Sequence, residues 1–123
     1  GLVPEYASSY IIPRLAGHVK ASEWLMLGEG FGAQDALNVG MINGVLAPDE
    51  LEQRVNHVVN KLVSLPRMPM MQTKQLLKNN LEDVKKHMFS ELEIFVSAMH
   101  SDAAQEAFSA FIEKRQPDFS AYV

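Results

Sequence analysis

Glu5 is a carboxylate placed directly after Pro4 and followed, past Tyr6, by a run of small and hydroxyl residues, Ala7, Ser8 and Ser9. That setting admits two uses. A positioned carboxylate can serve as a general base, and small neighbours leave room for a substrate. An acidic residue just after proline in the first turn of a helix can equally be a partner of the helix dipole, with small neighbours that let the helix pack closely. The residues alone leave both open.

Other chemistry has less support. His18, His57, His87 and His100 contain no pair four residues apart, and there is no cysteine beside them, so a zinc motif is not supported and surface or packing roles are expected. Ser8 and Ser9 lie outside any G-x-S-x-G context and have no identifiable histidine and aspartate partners, so a nucleophilic triad is set aside. Met68, Met70 and Met71 could form an adaptable contact surface, although core filling is the simpler reading.

Helices must position these residues. Downstream of Pro48, Leu51, Val55, Val58, Val59 and Leu62 recur at helical spacing, with Asp49 and Glu50 at the start to complement the dipole. Pro66 and Pro69 end that helix, and a shorter one runs through Met71, Gln72, Leu76 and Leu77 with Pro69 near its first position. Val84, Met88, Leu92, Phe95, Val96 and Met99 form a third stripe, and Ser101 and Asp102 offer a cap for a last helix through Phe108 and Phe111 that Pro117 closes. On this pattern Phe95 reads as core and Lys114, near a helix end, as solvated and dipole-matched.

The first fifty residues are divided by Gly28, Gly30, Gly32, Gly40 and Gly44. Helices over Tyr6 to Ile12, Val19 to Leu27 and Ala33 to Val39 satisfy those breaks, with Gly40 just past the end of the third. Residues 41–47 can be extended, which allows one short strand. The expected fold class is mainly α, with no repeat or linker that would divide the chain.

Bulk properties narrow the function classes. With 123 residues, 47% hydrophobic and 21% charged, the chain has the composition of one globular unit. A formal charge of −4, with 11 basic residues scattered among 15 acidic ones, argues against nucleic-acid binding. The absence of cysteine excludes disulfides and thiolate metal sites and fits a reducing compartment, so a cytoplasmic location is expected. No apolar run is long enough for a membrane span, and no membrane partner is expected. Gly1-Leu2-Val3-Pro4 is turn-like and lacks an initiating Met, which suggests truncation.

Three blocks then carry a resemblance. The opening Gly1 to Ser9 with Pro13-Arg14-Leu15 and Gly17 is the first, and Ala21, Glu23, Leu25, Gly28, Phe31, Ala33, Ala36, Gly40, Met41, Ile42, Asn43 and Val45 make the second. The third is Phe111-Ile112-Glu113-Lys114-Arg115-Gln116-Pro117-Asp118-Phe119. Together they resemble the enoyl-CoA hydratase/isomerase, or crotonase, superfamily, in its C-terminal half. The P-E-x-x-S-S arrangement around Glu5 is similar to that of the enoyl-CoA delta isomerases, whereas hydratases usually carry glycine at the position of Glu5.

The resemblance implies a helical C-terminal part of an α/β spiral fold. Residues 1–47 would line the acyl pocket, and residues 48–123 would form C-terminal helices that assemble subunits into a trimer or hexamer. It implies an acyl-CoA thioester as substrate rather than a cofactor, no metal, and Glu5 as catalytic acid/base. Phe95 and Lys114 would contact the CoA adenine and phosphates, since an aromatic face suits a purine and an ammonium suits phosphate. The donors that stabilise the thioester enolate would lie upstream. Isomerase is favoured over hydratase, and a non-catalytic crotonase-like interaction or oligomerisation module is the rival of a different class.

Overall fold

The computed structural model describes residues 2–122, so Gly1, the first residue of the opening block, lies outside the described residues. The chain is helical in the order α1 (Ser8–Leu27), α2 (Ala33–Asn38), α3 (Leu51–Val63), α4 (Arg67–Leu77), α5 (Leu81–Met99) and α6 (Asp102–Glu113), followed by a 3₁₀ turn at Ser120–Tyr122. Mainly α is therefore the observed class. The short strand allowed at 41–47 is not formed: these residues make bends and irregular backbone, and no described segment supplies a partner strand.

α1 departs from the expected pair of helices in where it breaks. Pro13 lies inside the first stretch rather than ending it, and the break falls at Gly17, with φ 78° and ψ 162°. Proline costs one backbone bond and keeps helical φ, whereas Gly17 takes a conformation nearly closed to residues with a Cβ. The chain therefore turns at the glycine.

Several helix ends follow their local chemistry. Gly40 takes φ 73° after α2, and the Met41 N–H returns to the Ala36 carbonyl at 2.9 Å. Pro66 precedes α4 and leaves Pro69 in its first turn, where a missing N–H is harmless. Ser101 caps α6, its side chain accepting from the Ala104 N–H at 3.2 Å.

Packing centres on α5, which contacts both α1 and α6. The buried apolar residues are mostly small: Ala7, Ala21, Ala36, Ala104 and Ala110, with Trp24 stacked on Phe31 at a centroid distance of 4.1 Å. Small residues let helices approach closely but bury little area. The stripe of α3 stays open to solvent, with Leu51, Val55 and Val58 exposed by 56%, 50% and 40%. Soluble monomers rarely leave such continuous apolar faces uncovered.

Candidate active site

Glu5 sits just before α1 in an unusual turn. Tyr6 and Ala7 both take left-handed conformations, φ 59° and φ 57°, although neither is glycine. The Glu5 carbonyl accepts from the Ser8 N–H at 3.1 Å and from the Ser8 hydroxyl at 2.6 Å. The Glu5 side chain is left exposed.

The start of α1 has neither a capping side chain of its own nor an acidic residue in its first turn. Glu91 of α5 takes both parts. Its Oε2 accepts from the Ala7 N–H at 2.5 Å, and its Oε1 from the Ser9 N–H at 3.0 Å and the Ser9 hydroxyl at 2.5 Å. A buried carboxylate is tolerated when several donors and a helix N-terminus receive it. Glu91 is the buried charged residue of the described chain.

His87 completes this cluster. Its Nε2 lies 2.9 Å from the Ser9 hydroxyl oxygen and 3.8 Å from Glu91 Oε1, and its ring packs against Tyr10 at 5.1 Å. Ser9 has a single hydroxyl proton, directed to Glu91, so the bond to His87 assigns the proton to Nε2 of the imidazole. Ser9 therefore does have histidine and carboxylate partners, contrary to the sequence reading. They come from a helix about eighty residues away, and their order is wrong for a triad, because the carboxylate binds the serine directly instead of orienting the histidine.

A groove of about 410 Å³ opens beside Glu5, lined by Glu5, Tyr6, Lys85, Met88, Phe89, Leu92 and Phe95. Its wall is one face of α5, at the spacing of successive helical turns. Two of the three expected site residues, Glu5 and Phe95, thus share one groove. Lys114 is not part of that lining: it is exposed at the end of α6 in a left-handed conformation, φ 55°, with its N–H turned back to Ala110 and Phe111.

Glu91 was legible only as an oddity. It falls on the stripe of Val84, Met88 and Phe95 at core-facing spacing, and an acidic residue on an apolar face signals a buried partner. His87, four residues earlier, faces the same way. No group of three or more His, Cys, Asp or Glu among the described residues is placed to hold a metal.

A second ionic cluster pins the tail. Glu106 receives a fork from Arg115 and the Asp118 N–H at 2.8 Å, and these bonds hold its carboxyl down at about 2. Arg115 also donates to Glu113 at 2.6 Å, and both carboxylates hold the guanidinium charged. Asp118 is lowered as well, because the Ser120 N–H binds it.

The enoyl-CoA hydratase/isomerase family model matches residues 1–121. This chain belongs to that family. Among solved structures it is similar to an enoyl-CoA hydratase/isomerase from Pseudoalteromonas atlantica T6c, with a TM-score of 0.88 and 33% identity over 98% of this chain and 49% of that one. It is also similar to OdaA from Pseudomonas aeruginosa, with a TM-score of 0.83 and 35% identity over 91% of this chain and 46% of that one. A short-chain-enoyl-CoA hydratase from Clostridium acetobutylicum is 27% identical over 94% of this chain and 45% of that protein. The chain spans about half the length of the curated relatives it matches. No described helix is long and apolar enough to cross a membrane.

Proposed function

We propose that this chain is the C-terminal part of an enoyl-CoA isomerase and supplies its acid/base. The observation that carries the reading is the place of Glu5, an exposed carboxylate on the rim of an apolar groove walled by Met88, Phe89, Leu92 and Phe95. An acyl chain in that groove would bring its C2 and C4 carbons to one carboxylate. Glu5 removes the C2 proton of a 3-enoyl thioester, the electrons shift through a dienolate, and the same carboxyl returns a proton at C4, leaving the double bond between C2 and C3. The groove volume suits a small-molecule site.

The dienolate needs preorganised donors at the thioester oxygen, the larger electrostatic part of such catalysis. In this reading they come from polypeptide that covers the exposed apolar faces, and the helices assemble as a trimer or hexamer. Residues 1–47 form the acyl-pocket side and residues 48–123 the assembling helices. Phe95, beside Glu5, meets the acyl end within its own chain, so its adenine contact is to a CoA held by a neighbouring subunit. Lys114 meets the CoA phosphates from the end of α6. No cofactor takes part, because CoA arrives as the substrate's own handle.

A hydratase is the second reading, favoured by the name of the Clostridium relative. The two separate in one comparison on the intact enzyme: turnover of a 3-enoyl-CoA to the 2-enoyl isomer against water addition to a 2-enoyl-CoA. Faster isomerisation supports the first reading, and faster hydration overturns it.

A further inference from the structure

We propose that Glu91 is the positioning residue for Glu5, holding the turn that aims the catalytic carboxylate at the groove; the inference rests on the reading of Glu5 as the base. The turn needs such a device. Two consecutive non-glycine residues, Tyr6 and Ala7, stand at φ 59° and φ 57°, conformations that persist only where surrounding structure over-determines them. Local bonds hold carbonyls only, that of Glu5 from Ser8 and that of Ala7 from the Tyr10 and Ile11 N–H groups, and give the Ala7 and Ser9 N–H groups no acceptor.

Glu91 provides the remainder from outside the segment. Its two oxygens take the Ala7 and Ser9 N–H groups on either side of Ser8, at 2.5 and 3.0 Å, and the Ser9 hydroxyl at 2.5 Å. His87 seats the hydroxyl from the other side at 2.9 Å. Glu91 also belongs to the helix that presents Met88, Leu92 and Phe95 to the groove. One helix therefore sets the groove wall and the register of the carboxylate facing it, so the distance between base and substrate is fixed by a single rigid element.

Both oxygens are needed. In Glu91→Gln one of them becomes an NH₂ donor, which faces an N–H donor and leaves Ala7 or Ser9 without an acceptor. The test is a cycle on the intact enzyme with Glu91→Gln, Glu5→Gln and the pair, reading kcat and KM for 3-enoyl-CoA isomerisation, with amide exchange at Ala7 and Ser9. Misplacing a base by about 1 Å can cost roughly 10²-fold. Glu91→Gln is expected to lower kcat at least about tenfold with KM nearly unchanged, to speed exchange at Ala7 or at Ser9, and to cost little more once Glu5 is Gln. Glu91→Asp, which keeps two oxygens, should recover part of the loss and serves if the Gln variant does not fold.

Equal losses in the wild-type and Glu5→Gln backgrounds would overturn the proposal, as would unchanged exchange at Ala7 and Ser9. A Glu5→Gln enzyme at wild-type turnover would instead overturn the reading of Glu5 itself, and faster exchange in Glu91→Gln would then leave Glu91 a residue of the fold only.

Discussion

Glu91 Oε2 accepts the Ala7 N–H at 2.5 Å across 84 residues of chain, so the cap of α1 is carried by a different helix. Truncating it should be costly. Glu91→Ala would strip the acceptor from the buried Ala7 amide and from Ser9, and each charge-assisted bond is worth about 1.5–3 kcal/mol. The variant is expected to lose at least about 2 kcal/mol in denaturant unfolding of the intact protein, above the common range for surface changes. A loss within about 0.5 kcal/mol would show that the α1 terminus needs no partner from α5.

Gly17 offers a test of backbone alone. A Cβ there would meet nothing within 4 Å, yet φ 78° with ψ 162° excludes most L residues. Gly17→Ala should therefore destabilise by about 1–3 kcal/mol without any steric clash. Unchanged stability would mean that α1 accepts a continuous helix through residue 17.

The tail cluster sets a pH dependence. The Glu106 carboxyl is pulled down from the ordinary 4.5 to about 2, because Arg115 and the Asp118 N–H hold the charged form. Protons thus bind more readily to the unfolded state, so this contribution is complete above the ordinary carboxylate range and is lost as pH falls from about 4.5 toward 2. Acid unfolding followed at residues 115–122 should show that loss, and Glu106→Gln should remove it. A tail whose acid transition is the same in both proteins would contradict the assignment.

The open faces predict association. Leu76, Leu77, Phe111 and Ile112 are each more than two-thirds exposed, at 74%, 78%, 85% and 79%, so the chain purified by itself should self-associate rather than hold its monomer mass of 13.7 kDa. Light scattering across a wide concentration range checks this. A clean monomer throughout would contradict it.

The parts of the fold that were readable from the sequence are those governed by neighbours along the chain. The periodic stripe of α3, the Ser101 cap and the turn at Gly40 each depend on a few adjacent residues, and each stands where local chemistry puts it. What escaped depends on contacts from afar. The helix expected over Tyr6 to Ile12 runs on through Pro13 and breaks at Gly17 instead. Residues 41–47 have strand-like composition but no strand beside them. In the site, Glu5 and Phe95 were named and share a groove, while Glu91 and His87 were hidden because their meaning lies in Ala7 and Ser9, which only the packing of α1 on α5 brings near. The helical stripes were visible, yet periodicity says which face is apolar and not what covers it.

Whether Glu5 moves the proton is read most directly from kcat for 3-enoyl-CoA isomerisation by the intact enzyme carrying Glu5→Gln. The substitution keeps shape and hydrogen-bonding capacity but removes the base. A fall of about 10²–10⁴-fold with an unchanged fold is expected. Isomerisation at the wild-type rate would contradict it.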